Sequence, residues 1–367
     1  MYIVILVSII ALFFTYSEST GRIKYGMRWG FFIITLLGCI HYNYGNDYMP
    51  YLALFQEVEN TPFDWNYIIS REFYREPGWI LLCYLFKGRG GFFAMVAILN
   101  IVQNFLVYNF INKYVPQKHW HWAMFIYLFN IGFYLLSFSM LRQEFVVCVF
   151  LGLWGLIKER KFIIPAVVLY FCSWIHSSAI LLVPFALWGF MPVNNRKVLA
   201  SLLLVLVAVL TLSASLITSI LDYFSFYEEI DEWMDFYGRG QQNESSRGIG
   251  TIMNIIPFFV GTYYIMISSL KTVSKEDIRL VTLALLGFFL QPFSAIIPGA
   301  GRIGYYFVIY GLAAIPFTYS SIKDSKVRGI LILIYVVMTL YNYYLFFAPG
   351  SSYSPYYKTF DTIFSVL

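Results

Sequence analysis

Three kinds of side chain here can do chemistry, and each is set among long apolar stretches. The first is arginine. Arg142 stands in SFSMLRQEF between two apolar runs with almost no loop, and Gln143 supports it from the next position. An arginine at bilayer depth costs at least about 2.5 kcal/mol, so it calls for a purpose. A guanidinium lining a cavity grips a phosphate or carboxylate through two parallel N–H bonds. Glu144, two residues on, offers the simpler alternative of a neutralising partner. Arg302 in IIPGAGRIGYYF sits where an apolar helix begins, and free N–H groups there favour an anion. Equally, its side chain can snorkel to lipid phosphate. Gly299, Gly301 and Gly304 spell G-x-G-x-x-G, but they follow an apolar helical run rather than a strand, so no dinucleotide site is expected. Arg239, between two glycines, is a further anion contact.

Carboxylates and a histidine are the second and third kinds. SREFYREPGWILL crowds Arg71, Glu72, Arg75 and Glu76 ahead of a short apolar run, Trp79 to Phe86, expected to re-enter the membrane. That order places a carboxylate base beside phosphate-binding arginines. Glu76 also precedes Pro77, a favoured first helical residue, so it reads as a helix cap too. Asp47 in YGNDYMPYLALFQEVEN carries the same two readings, base or N-cap, with Tyr48 as a supporting neighbour. Tyr48, Tyr51, Leu52, Phe55 and Val58 then share one face of an amphipathic helix. His176 in SWIHSSAILL stands at the turn between two short apolar runs, as acid, base or phosphate donor, or as a hydrogen-bonded structural residue. His119 and His121 in KHWHW read as interfacial.

Metal chemistry is not expected. Asp231 and Asp235 have helical spacing for a divalent ion, but they lie on the acidic face of an amphipathic helix, so a solvated face is the better reading. Cys39, Cys83, Cys148 and Cys172 all fall in apolar segments without paired spacing, which suggests neither a disulfide framework nor zinc.

The elements that must position these groups follow from composition. The chain has 367 residues, 59% hydrophobic and 12% charged, with mean hydropathy +0.67. Soluble domains carry about 25% charge, so this is an all-α polytopic membrane protein, one multi-pass domain over 1–367. Its basic residues are scattered between apolar runs, which excludes a nucleic-acid partner. Spans of about 20 apolar residues are placed near 1–16, 27–44, 92–111, 123–141, 198–221, 249–270, 280–297, 303–321 and 329–347. Shorter runs at 144–157, 162–175 and 178–191 bring the expected count to about twelve helices. Short or broken helices survive at membrane depth only when buried in protein or lining a cavity. With the N-terminus outside, most of the 25 Lys and Arg fall in short inner loops, as the positive-inside rule requires. The candidate residues then gather at the outer face, where loops 41–91 and 222–248 contribute to a site and carry amphipathic helices.

These stretches, YGNDYMPY, REPGWILL, LRQEF, HSSAILL and GRIGYYF, resemble the EpsG-like, Wzy-type family of bacterial polysaccharide polymerases, from about residue 40 to 310. The resemblance implies a plasma-membrane enzyme with its active site facing the periplasm or exterior, and an architecture of the GT-C kind. It implies that a growing glycan leaves undecaprenyl diphosphate and passes to a hydroxyl of another lipid-linked repeat. The implied partners are those lipid-linked donors and acceptors, membrane lipid, a chain-length regulator and a flippase; no cofactor is implied. A departing diphosphate needs cationic donors, here Arg142, Arg239 and Arg302, supported by Arg71 and Arg75. The acceptor hydroxyl needs a general base, in order of preference Glu76, Asp47 and His176. An O-antigen-ligase-like transferase would use similar arginines. A lipid-linked-sugar flippase should show related halves, and no repeat joins 1–190 to 191–367. A membrane O-acyltransferase is disfavoured because His41 falls on the outer side.

Overall fold

The computed structural model describes residues 1–71, 74–193, 200, 201, 204, 249–268, 273–291 and 300–365. The protein is all-α, 78% helical, apart from a two-stranded antiparallel pair that sets β1 (His41–Tyr42) against β2 (Asp361–Thr362). Two compact units are present, Met1–Phe190 with Leu340–Leu367 and Met191–Thr339.

In the first unit, α1 (Tyr2–Ser19) turns a stripe of small residues inward, with Ser8, Ala11 and Thr15 buried, and leaves Leu6, Ile9 and Phe13 exposed. Small residues on the protein side and large apolar ones outward is the pattern of helices packing within lipid. Its partner α2 (Gly26–Ile40) meets this stripe through Gly30, where a Cβ would stand 2.8 Å from the Ala11 carbonyl oxygen. Next come α3 (Tyr48–Asn60), α4 (Trp65–Ser70) and α5 (Pro77–Leu85), followed by the long α6 (Gly91–Tyr114). The amphipathic face read for 48–58 is the buried face of α3. Tyr48, Tyr51, Phe55 and Val58 pack with Trp79, Ile80 and Cys83 of α5 and Phe92, Met95, Val96 and Leu99 of α6. Side chains so buried contribute on the order of 2 kcal/mol each relative to water, and they seat the 41–91 segment on the helix bundle.

The single span expected at 123–141 is instead α7 (Trp120–Phe129) and α8 (Tyr134–Ser137). Asn130 ends the first: its Oδ1 accepts from the Gly132 N–H at 3.1 Å, a local bond that competes with helix continuation. Then follow α9 (Leu141–Gly152), α10 (Trp154–Lys158), α11 (Ile163–Ile175) and a 3-10 helix, Ser177–Phe190, that contains Pro184.

The second unit holds α12 (Ile249–Ile267), α13 (Lys275–Leu290), α14 (Ala300–Val308) and α15 (Gly311–Ser320). Helix α16 (Ser325–Phe347) crosses the unit boundary, and α17 (Ser354–Tyr357) belongs to the first unit. Where the sequence suggested one span at 303–321, α14 and α15 are bent by 64°. Among the described residues three helices, α1, α6 and α16, are long and apolar enough to cross a membrane, or four if the bent pair counts as one. Helices such as the 15-residue α2 rise about 22 Å, short of a hydrocarbon core of about 30 Å, and need protein neighbours at depth. The chain is a multi-pass membrane protein.

Candidate functional site

Local chain geometry delivers one acidic residue to two distant segments. Glu76 stands at the N-cap position of α5 with Pro77 after it, as the sequence suggested, but its side chain makes no cap bond. Gly78 brings the start of α5 against the end of α11: a Cβ there would lie 2.8 Å from Cβ of Trp174. That close approach carries Glu76 to the residues just beyond α11. The Ser177 N–H donates to Oε1 of Glu76 at 2.9 Å, and Nδ1 of His176 lies 3.3 Å from the same oxygen. Arg142, in the first turn of α9, donates from NH1 to Oε2. Three segments far apart in sequence thus meet on one carboxylate.

The network is shielded but not sealed. Side-chain exposure is 7% for Glu76, 11% for His176 and 17% for Arg142. Tyr51, one turn after Tyr48, accepts from Nε of Arg142 at 3.2 Å. The guanidinium carbon also lies over the rings of Tyr51, Tyr74 and Trp79, at 5.1, 5.3 and 6.0 Å from their centroids. Cation–π contacts of this kind are worth about 0.5–2 kcal/mol each, more when desolvated. Burial pushes the Glu76 carboxyl up, but His176, the Arg142 charge and the Ser177 N–H outweigh it and hold the group below its ordinary value. The carboxylate is ionised, and the arginine beside it is its counter-charge.

Other candidates occupy different places. Asp47 stands at the N-cap position of α3 without a side-chain cap bond. Its Oδ1 accepts from Asn46 at 2.7 Å, and its N–H donates to Ser139 Oγ at 3.1 Å, so it is tied to the segment leading into α9. Tyr48 is fully buried and its hydroxyl donates to the His41 carbonyl at 3.3 Å; Tyr51 is the ring that reaches Arg142. Gln143 is buried beside Arg142. Glu144 does not neutralise Arg142, since residues two apart on a helix do not face each other; it accepts instead from Cys148 Sγ at 3.8 Å. Arg71, with φ 63°, closes α4, and both Arg71 and Arg75 are exposed without an ion pair among the described residues. Arg302 is exposed in the first turn of α14, in the second unit. Glu72, Arg239, Asp231 and Asp235 lie outside the described residues. Among the described residues no three His, Cys, Asp or Glu side chains gather as a metal set.

Tyr51, Tyr74, Trp79 and the Ser177 N–H were not singled out by sequence. A signal for the first existed, because Tyr51 lies on the apolar face of the 48–58 helix. Tyr74 and Trp79 flank Glu76 in FYREPGW, and their common target is visible only once Arg142 is placed.

Comparison with known proteins adds one finding. The EpsG family model matches residues 24–358, and that family consists of membrane proteins linked to exopolysaccharide biosynthesis. No curated protein matches the chain, and no solved structure does.

Proposed function

The chain belongs to the EpsG family, and from that premise we propose that it is a polysaccharide polymerase of the bacterial plasma membrane. It transfers a growing glycan from undecaprenyl diphosphate to a hydroxyl of another lipid-linked repeat, at the outer face. The observation that carries this reading is the ionised, shielded Glu76 held between Arg142 and His176. Glycosyl transfer with a diphosphate leaving group asks for two things from a protein. Cations must stabilise negative charge as the donor bond breaks, and a proton acceptor must relieve the attacking hydroxyl. Basic, acidic and imidazole groups stand together in the 41–91 segment and its neighbours, next to aromatic rings of the kind on which sugars stack. A lipid-linked substrate supplies its own activated bond, so no nucleotide is required.

The experiment is a gel of lipid-linked glycan from the source strain carrying Arg142→Ala at matched protein level. Collapse of the long-chain ladder to a single repeat is the expected result. An unchanged ladder refutes the site. A ladder that forms but remains on undecaprenyl diphosphate points instead to a ligase.

A further inference from the structure

Both oxygens of the Glu76 carboxylate are engaged. Arg142 takes Oε2, while Oε1 receives the Ser177 N–H at 2.9 Å and faces Nδ1 of His176 at 3.3 Å. A carboxylate with both oxygens engaged and its side chain 7% exposed has little left to offer an incoming hydroxyl. Arg142 is committed in the same way, its charge on Glu76 and its guanidinium among three rings. A carboxylate beside one nitrogen of an imidazole holds the ring's orientation, fixes the tautomer and leaves a lone pair on the other nitrogen. Arg71 and Arg75 remain exposed, and Arg75 is joined directly to Glu76 in the chain.

Building on the polymerase reading, we propose that Nε2 of His176 takes the proton of the acceptor hydroxyl, that Glu76 and Arg142 are positioning residues for it, and that Arg71 and Arg75 receive the donor diphosphate. The acceptor oxygen forms a bond to the anomeric carbon, and the bond from that carbon to the diphosphate oxygen breaks. The diphosphate leaves with the electron pair, and its charge falls on the two exposed arginines. The hydroxyl proton moves to Nε2, giving an imidazolium balanced by Glu76, and is then lost to the released diphosphate or to water. This division reverses the order expected from sequence, where Glu76 led as base and Arg142 led as clamp.

Full-length protein in vesicles with lipid-linked repeat tests it. His176→Gly is expected to lose on the order of 10²–10⁴-fold in turnover, the range for loss of a general base, and added imidazole restores part of the rate. A residue that only packs the turn would not be replaced by a free ring. His176→Gln, which keeps a hydrogen-bonding side chain, is run beside it and is expected to keep the wild-type melting temperature while losing turnover. Glu76→Gln lowers kcat with KM unchanged, whereas Arg75→Ala raises the KM for donor. Full activity in His176→Gln overturns the assignment, and so does an inactive His176→Gly that imidazole leaves inactive. Wild-type vesicles that do not lengthen the repeat refute the polymerase reading itself, a failure distinct from either.

Discussion

Glu76 and Glu144 are both buried acids in an apolar setting, 5% and 4% exposed, yet their neighbourhoods differ in kind. Glu76 is surrounded by groups that stabilise its charge: a guanidinium from one distant segment, and an imidazole and a backbone N–H from another. Glu144 sits in α9 among neutral polar groups. Cys148 donates to it from the next turn, and Tyr127 donates to Asn104 of α6 at 3.0 Å. Asn100, Gln103 and Asn104 are buried on α6, which packs against both α2 and α9. Buried charges survive when paired, while neutral polar side chains between helices serve as adhesive within lipid. The contrast separates a place built for charge to develop from one built for helices to hold together.

Removing one partner from each neighbourhood should therefore have unequal consequences. The largest effect is expected from Arg142→Ala, because an uncompensated buried carboxylate costs about 3–5 kcal/mol; thermal unfolding in detergent should show a strongly lowered melting temperature. A smaller effect of opposite sign is expected at Gln103, whose side-chain nitrogen and oxygen are both buried without a partner among the described residues. Gln103→Leu should stabilise by about 1–3 kcal/mol, the desolvation penalty of an unmet polar group, and raise the melting temperature with glycan synthesis unaffected. A loss of stability there would mean that the α6 cluster needs its amide. The smallest effect is expected for Tyr51→Phe. It removes the 3.2 Å bond to Arg142 but keeps the ring, and should cost about 0.5–1.5 kcal/mol.

Much of the architecture was legible because helical periodicity is local. The face from Tyr48 to Val58 is the buried face of α3, and the apolar runs at 1–16, 92–111 and 329–347 are the long helices α1, α6 and α16. The break near Asn130 was missed because hydropathy alone does not register an amide that caps its own turn. Legibility of the site was uneven for a similar reason. Glu76, Arg142 and His176 each stood out as polar residues in apolar sequence. Their pairing did not, since the partners lie 66 and 100 or more positions apart and depend on the close approach at Gly78. Glu144 was the nearest acid to Arg142 along the chain, but helix geometry turns it to the other neighbourhood. Tyr51 outranks Tyr48 at the site because one more turn of α3 carries it to Arg142.

The most direct measurement compares Glu76→Gln with Glu144→Gln on a gel of lipid-linked glycan at matched protein level. Both changes remove an acid and keep its shape. The prediction is a ladder collapsed to a single repeat for Glu76→Gln and a full ladder for Glu144→Gln. A full ladder for Glu76→Gln with a collapsed one for Glu144→Gln would contradict the assignment of the Arg142–Glu76–His176 network as the transfer site.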